Sequence, residues 1–364
     1  MRKLIITAGV LVAVAWSAAS VQAAHKWGLK EGSPDLQSAG HLVFGPDGIL
    51  FVGDAKGAAV FAIDTQDAQS ATPGSRQIDK LNEKLLAVPG VKAPVTVNDL
   101  AVNPISGNLY LSLSSGEAKA PALVRIDGAG KLSAVSLENV PFLKANLPNP
   151  PEDKVTGEGR RARNLRLESI TDLAYSEGKV LVAGMSAAPT PSTVREFPFP
   201  FADRDTGFAV EIYHGAHGRV EDYAAIRTFV PLTIDGTPSV LAGFTCTPLV
   251  RFPLEGVTPG SKNRGTTLAE LGNRNSPLDM IVYDKGTEKY LLVSNTNRGV
   301  MKVSLQDINR EEGITSPVRD TAGQSYETIG ELEGTVQMDR LNDREAVIII
   351  RQNDALNLKT VQLP

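Results

Sequence analysis

A pattern of short apolar strands recurs along this chain and restricts its possible folds more than any other feature. The clearest copies begin with VNDLAV at residues 97–102, ITDLAY at 170–175 and PLDMIV at 277–282. A turn and a second apolar strand follow each segment, and then a third strand such as LVRI at 123–126. Four short strands joined by tight turns make one blade of a β-propeller. The sequence therefore predicts an all-β chain built from repeated four-stranded sheets.

The number of copies predicts the number of blades. A further copy begins at residue 40 and weaker copies begin at residues 227 and 336, which places the starts of the innermost strands near 41, 99, 172, 228, 279 and 337. The mean spacing of roughly 59 residues exceeds the ~40–50 of compact propeller repeats, so the loops must be long. Six starts predict a six-bladed propeller. Seven blades are the alternative if a long loop contains a degenerate blade.

The last copy has no fourth strand of its own. Strands are expected near residues 337–343, 346–351 and 357–363, after which the sequence ends. We expect residues 26–31 to supply the missing strand, because pairing the two ends of the chain would close the ring and cover a sheet edge.

The first 23 residues have the pattern of a secretory signal peptide. Met1, Arg2 and Lys3 precede an almost wholly apolar run to Ala19, and Val21-Gln22-Ala23 forms a small-residue cleavage pattern. We therefore expect a secreted or periplasmic protein whose mature chain, residues 24–364, is a single domain with no membrane span. An uncleaved anchor is the alternative, although the apolar run is shorter than the about 20 residues that a span needs.

Composition limits the classes of partner. The net charge is −4 with no long run of one sign, which argues against nucleic acid, and aromatic residues make up only 5% of the chain. The expected partner is a small molecule or another protein, and the expected state is a monomer. Cys246 is the only cysteine, so no intrachain disulfide can form. No motif for covalent haem, a serine-hydrolase elbow, a phosphate loop or a dinucleotide is present.

Polar side chains stand at the aligned starts of the innermost strands, which meet at the mouth of the propeller channel. The candidates are His41, Asn98, Asp99, Asp172, Asp279 and Gln337. Carboxylate and amide oxygens around one axis could bind calcium. The structural alternative is that the carboxylates accept hydrogen bonds from neighbouring backbone N–H groups.

A second constellation contains softer ligands. Residues 193–197 match the third strands of other blades, which makes residues 208–213 a fourth strand and places His214 and His217 on the channel face. Cys246 ends the second strand of the next blade on the same face. Two imidazoles and a thiolate could bind copper or zinc. The alternative is a solvent-exposed hairpin turn with Cys246 as a small buried residue.

Segment 138–169, between the second and third predicted blades, has no clear strand pattern. Loops of this length are usually functional lids or disordered tethers, and this one should overhang the channel mouth. It contains Arg160, Arg161 and Arg163, which could hold an anionic ligand or could simply be solvated surface charge.

The blade pattern resembles the six-bladed superfamily of gluconolactonase/senescence-marker, paraoxonase-like and NHL-repeat propellers. In the lactonase-like members an Asn-Asp step begins an inner strand and contributes to a calcium site in the channel. Asn98 and Asp99 look like this step, and Asp279 lies where another blade often contributes an acid. The resemblance thus implies a calcium ligand set, but His41 stands where those enzymes usually have glutamate.

The leading hypothesis from the sequence is an exported propeller that binds a ligand, with or without a metal ion, at the lidded channel mouth, as a scaffold or sensor. One alternative is a metal-dependent hydrolase of the lactonase kind, with Asp172 or His41 as general base. Another is a metal-free platform for protein interaction.

Overall fold

Six β-sheets are arranged around a central channel. The computed structural model describes residues 26–71, 73–159, 162–202, 206–310 and 312–364, and the predicted signal peptide lies outside them. We number the blades I to VI by the order of their innermost strands along the chain. The prediction of an all-β, six-bladed propeller is confirmed, because the described residues form six large sheets and one two-stranded ladder.

Each blade begins with its innermost strand, and the other strands follow in order from the channel outward. Blade I contains Leu42–Phe44, Ile49–Asp54, Ala59–Asp64, Val140–Asn146 and Lys30–Gly32. Blade II contains Val95–Val102, Leu109–Ser115, Ala120–Ile126 and Leu132–Ala134. Blade III contains Asp172–Ser176, Lys179–Met185, Ser192–Pro198, Phe208–His214 and Arg219–Glu221, with Lys262–Arg264 pairing in parallel to the fourth strand.

The remaining blades follow the same plan. Blade IV contains Ile226–Ile234, Thr237–Phe244, Pro248–Pro253, Thr266–Leu271 and Thr321–Gly323. Blade V contains Pro277–Lys285, Glu288–Asn295, Val300–Ser304 and Tyr326–Thr328. Blade VI contains Thr335–Arg340, Glu345–Gln352, Ala355–Gln362 and Gln77–Ile78.

In the part of the chain that the structure describes, helical structure lies in short connections. It includes the α-helix Leu81–Leu85 and the 3₁₀ turns Pro46–Gly48, Leu165–Glu168, Gly215–His217 and Gly330–Leu332. Among the described residues, no helix is long and apolar enough to span a lipid bilayer.

The blades do not follow one another around the ring in sequence order. Contacts between innermost strands run from blade I to III, IV, V, VI and II, and back to I. The apolar cores agree with this order. Leu113 and Leu123 of blade II lie in separate cores, the first shared with Ile349 of blade VI and the second with Phe61 of blade I. Blade II is therefore inserted between the first and last blades.

The predicted closure of the ring by the N-terminal segment is wrong. Lys30–Gly32 pairs with Val140–Asn146 at the outer edge of blade I, and not with blade VI. The fourth strand of blade VI is Gln77–Ile78, which pairs with Lys359 and Leu358. The chain reaches blade VI while it crosses from blade I to blade II, so an internal segment covers the edge that the termini were expected to cover.

The segment 138–169 is also more ordered than its sequence indicates. Val140–Asn146 is the fourth strand of blade I, and Val155–Thr156 forms a two-stranded ladder with Arg163–Asn164. Arg166 and Ser169 then donate hydrogen bonds to the carbonyls of Lys56 and Ala55. The segment therefore packs on the turn between the second and third strands of blade I.

Irregular strand registers determine where the channel residues lie. The pairing of the first and second strands shifts by one residue at Asn98, Arg227, Leu278 and Val336, in blades II, IV, V and VI. Such β-bulges turn the following side chain toward a new direction. Asp99 and Asp279 each directly follow one of these shifted residues.

Candidate functional site

The innermost strands of all six blades enclose a cavity of about 630 Å³. Its wall includes His41, Asp99, Asp172, Asp279 and Gln337, the predicted channel residues other than Asn98. It also includes Asp339, which alignment of the strand starts missed because this residue stands two positions after Gln337. Residues two positions apart in a strand share a face, so Asp339 could have been predicted as a channel residue from the position of Gln337.

Four carboxylates at the channel, which we call the channel ring, bind the backbone of neighbouring blades. The members of the channel ring are Asp99, Asp172, Asp279 and Asp339. Their inter-blade acceptor bonds come from the N–H groups of Leu42, Phe229, Met338 and Val102, at 2.6, 2.8, 2.7 and 2.7 Å. These bonds join blades II to I, III to IV, V to VI and VI to II, so the channel ring links four of the six seams.

The second oxygen of the channel-ring carboxylates is also engaged. Asp172, Asp279 and Asp339 each accept the N–H of the residue that follows them in sequence, at 2.7–2.8 Å. A calcium ion needs six to eight oxygen ligands. Each of these oxygens accepts a backbone hydrogen bond, as the structural alternative predicts, and the calcium set that the resemblance implies stays a prediction.

Burial dominates the electrostatics of the channel ring. It raises the pKa of Asp99 and Asp279 well above the ordinary range, raises that of Asp172, and raises that of Asp339 to about 6. Burial also lowers the pKa of His41. The proximity of several carboxyl groups adds to the effect on Asp99 and Asp279, since each charge disfavours ionisation of the next.

His41 lies at the seam between blades I and III. Its Nδ1 atom is 3.6 Å from an oxygen of Asp172 and 3.9 Å from an oxygen of Asp99, which is too long for hydrogen bonds. Asn98 donates to the Ala39 carbonyl and the Ser114 hydroxyl, and Gln337 donates to the Asn98 carbonyl. The two amides therefore contribute to packing around the channel mouth.

The described arginines of segment 138–169, Arg163 and Arg166, do not line the channel cavity. Arg163 is exposed on the small ladder, and no described residue of the segment is among those that line the cavity. Arg160 and Arg161 lie outside the described residues. The expectation that this segment overhangs the channel is thus not met by its described part.

The structure brings His214, His217 and Cys246 together at the seam between blades III and IV. We call these three residues the III/IV cluster. One potential ligand atom from each residue lies within 4.8 Å of the other two, and the imidazole ring centroids are 3.8 Å apart. His214 ends the fourth strand of blade III, His217 follows in the 3₁₀ turn, and Cys246 lies between the second and third strands of blade IV. None of the three is among the residues that line the central cavity.

A single buried carboxylate holds both imidazoles. Glu221 is 2% exposed, and its two oxygens lie 2.9 Å from His214 Nδ1 and 2.8 Å from His217 Nδ1. Arg219 and Tyr223 donate to the same carboxylate. Burial opposes the charge of Glu221, but the hydrogen bonds from His214, His217 and Arg219 outweigh it and lower its pKa to about 2. Glu221 is therefore ionised and can only accept hydrogen bonds, which makes Nδ1 the donor in both contacts.

In a neutral imidazole whose Nδ1 is protonated, Nε2 carries the free lone pair and can bind a metal ion. His214 is 2% exposed, and its Nε2 atom has no hydrogen-bond partner among the described residues. Burial lowers the pKa of His214, which favours the neutral imidazole that binds metals. Carboxylates that orient ligating histidines through Nδ1 are a regular feature of metal sites.

The backbone at Cys246 is held in an uncommon conformation. Cys246 and Thr247 have φ angles of +66° and +58°, in the left-handed region that residues with a Cβ rarely adopt. The Cys246 N–H donates to the Asn275 carbonyl at 2.6 Å, and Thr247 Oγ1 donates to the Gly272 carbonyl. Contacts with the connection to blade V thus hold the thiol against the seam.

A second buried carboxylate lies at the same turn. Glu270 is 1% exposed, and its Oε1 atom accepts a hydrogen bond from the backbone N–H of Gly215 at 2.5 Å. The backbone N–H of Ala216 also interacts with the carboxylate. Burial raises the pKa of Glu270 to about 7 despite these donors. Neither Glu221 nor Glu270 was singled out from the sequence. Glu221 could have been found from its position four residues after His217, whereas Glu270 has no local signal.

Comparison with known proteins gives little beyond the architecture. No family model and no curated protein matches the chain. Among solved structures it is similar to the PQQ-bound aldose sugar dehydrogenase of Streptomyces coelicolor, with 11% identity, a TM-score of 0.32, and coverage of 92% of this chain and 97% of that one. A candidate glucose dehydrogenase of Thermus thermophilus has 11% identity, a TM-score of 0.36, and coverage of 92% and 99%.

A candidate gluconolactonase has 10% identity and a TM-score of 0.32 over 92% of both chains. Similarity at this level carries no information on the ligand or reaction of this protein.

Proposed function

We propose that this chain is an exported propeller that binds one transition-metal ion, such as copper or zinc, between blades III and IV. His214, His217 and Cys246 are the ligands, and the bound ion links two blades as part of a scaffold or sensor. The observation that carries the proposal is the Nε2 atom of His214, which is buried without a partner among the described residues while Nδ1 contacts Glu221.

The energetic argument follows from burial. A buried polar atom without a hydrogen bond costs about 1–3 kcal/mol, and a metal ion at Nε2 would remove this cost. Glu221 already fixes the tautomer and the orientation of both rings, so little reorganisation is needed when the ion binds. Imidazole and thiolate are ligands that copper and zinc accept.

The test is a metal titration of the mature chain after its metal has been removed. We expect one zinc or copper ion per chain and an unfolding midpoint that rises with metal concentration, because binding stabilises only the folded state. Cys246→Ser should weaken binding strongly, since it removes the thiolate. His41→Gln is the matched control, because it removes a histidine that lies in the channel. Equal affinities of the wild type and Cys246→Ser would contradict the proposal.

A second candidate function concerns the channel. The cavity of about 630 Å³ is large enough for a small molecule, and His41 and Asp172 meet at its mouth with 3.6 Å between Nδ1 and Oδ1. In a hydrolase of the lactonase kind, one of these two residues would act as general base. Incubation with lactones of increasing ring size tests this candidate, and activity that survives both His41→Gln and Asp172→Asn would rule it out. Absence of both metal and small-molecule binding would instead favour the metal-free interaction platform.

A further inference from the structure

The turn that carries the two histidines is packed against Glu270, a buried acidic side chain from the next blade. Glu270 belongs to the fourth strand of blade IV, Thr266–Leu271, and its Oε1 atom accepts a hydrogen bond from the Gly215 N–H. The other oxygen, Oε2, is buried and has no partner among the described residues. Two unpartnered buried polar atoms, His214 Nε2 and Glu270 Oε2, therefore belong to residues that contact the same turn.

Gly215 shows how closely the carboxylate is seated. A Cβ atom at this position would lie 2.9 Å from Glu270 Oε1, a distance that real Cβ contacts essentially never show. Gly215 is not among the glycines with positive φ, so the backbone conformation alone does not require glycine. The close approach of Glu270 is what a larger residue would disturb.

We infer that Glu270 supplies a fourth, oxygen donor to the ion of the III/IV cluster and makes this site selective for divalent zinc over cuprous copper. The inference rests on the proposed function, because it needs an ion at His214, His217 and Cys246. The donor atom is Oε2, the buried Glu270 oxygen that has no hydrogen-bond partner among the described residues. It would bind the ion directly or through a water molecule.

The chemistry of the donor set gives the selectivity. Zinc favours four tetrahedral ligands and accepts nitrogen, sulfur and carboxylate oxygen together. A set of two imidazoles and one thiolate without the oxygen is softer and suits cuprous copper, whereas a hard carboxylate ligand favours a divalent ion. Removal of the Glu270 charge should therefore weaken the binding of zinc more than the binding of cuprous copper.

The experiment compares zinc and cuprous affinities of the mature, metal-free chain by competition with a chromophoric chelator for each metal. The variants are Glu270→Gln, which keeps the shape but removes the charge, and Gly215→Ala, which displaces the carboxylate without removing it. We expect Glu270→Gln to lower zinc affinity by about ten- to a hundredfold and to change cuprous affinity by less than about threefold. Gly215→Ala should act in the same direction with a smaller effect.

Glu196→Gln is the matched control. Glu196 is a buried carboxylate of blade III that pairs with Lys179, away from the turn of the histidines. The Glu196→Gln variant should leave the affinities for zinc and for cuprous copper unchanged. Cobalt in place of zinc provides an independent readout, since the intensity of its visible bands reports four-coordinate tetrahedral geometry, and Glu270→Gln should reduce this intensity.

The outcomes separate the two proposals. A zinc affinity of Glu270→Gln within twofold of the wild type overturns the role of Glu270 and leaves the proposed function intact. Equal losses for zinc and cuprous copper also overturn it, because they would indicate a purely structural effect on the turn. If the wild type binds neither metal, the proposed function fails and this inference fails with it.

Discussion

The channel ring and the III/IV cluster are both groups of polar side chains at seams between blades, but their hydrogen bonding differs. The channel-ring carboxylates accept hydrogen bonds from backbone N–H groups of adjacent blades, so these bonds hold the blades together. In the III/IV cluster, His214 is buried, yet its Nε2 atom is left without a partner among the described residues. The comparison shows that burial of polar groups alone does not identify a functional site. An unmet hydrogen-bonding capacity, held in place by a second residue such as Glu221, is more informative.

The largest expected effect is a loss of metal affinity, which should follow a substitution in the III/IV cluster but not one in the channel ring. His214→Ala removes a ligand and should weaken metal binding more than a hundredfold, which corresponds to about 3 kcal/mol or more. Asp279→Asn, in the channel ring, should leave the metal affinity unchanged. Titration of both variants with zinc checks the prediction, and a loss of affinity in Asp279→Asn would show that the two regions are coupled.

The next effect is on stability. Asp279 accepts the N–H groups of Met280 and Met338, so Asp279→Ala leaves two buried donors without a partner. We expect the free energy of unfolding to fall by about 2–3 kcal/mol. Asp284→Ala, on the same strand but exposed, is the control and should cost less than about 0.5 kcal/mol. Urea unfolding in the absence of metal gives both values. Similar losses of unfolding free energy for the two variants would contradict the structural role of the channel ring.

A smaller effect should appear in the pH dependence of stability. Asp339 has a folded-state pKa of about 6, above the about 3.9 of an unfolded chain, because burial disfavours its charge. The folded state therefore binds more protons between these values, and this group lowers the free energy of unfolding as the pH rises from about 4 to 6. Relative to the wild type, Asp339→Asn should gain about 1–2 kcal/mol between pH 4.5 and pH 7.

The control for this prediction is Asp343→Asn, whose side chain is 98% exposed on the following turn. Its stability difference from the wild type should not vary over the same pH interval. Parallel pH profiles for the wild type and Asp339→Asn would contradict the assigned cause.

The smallest expected effect is that of calcium. Because the channel-ring oxygens already accept backbone hydrogen bonds, addition of calcium or of a calcium-selective chelator should move the unfolding midpoint by less than about 1 °C. Zinc should raise the midpoint of the same metal-free sample. A clear rise with calcium would restore the calcium site that the resemblance to lactonase-like propellers implies.

Several parts of the structure could be predicted because they depend on short, local patterns. The alternation of apolar residues around Asp172 and Asp279 marks inner strands regardless of what they pack against. The strand assignment for residues 193–197 and 208–213 agrees with Ser192–Pro198 and Phe208–His214, and it led to the position of His214 at the end of a fourth strand.

Other parts could not be predicted, for identifiable reasons. Val140–Asn146 contains Pro141, which argues against a strand, and Gln77–Ile78 is too short to show any period. The first pairs with Ala59–Asp64, which lies before the whole of blade II in the sequence, and the second pairs with a strand near the end of the chain. Glu270 likewise has no pattern near it, since only the seam between two blades brings it to Gly215.

Strand alternation and side-chain identity are properties of each segment alone, so the all-β class, the six-bladed count and the residues available for chemistry could be read from the sequence. The insertion of blade II between blades I and VI, the segment that completes blade VI, and the partners of each polar group could not. These features depend on contacts between segments that are distant in sequence. A carboxylate such as Asp99 and a histidine such as His214 acquire different roles because their neighbours across a seam either offer a hydrogen bond or do not.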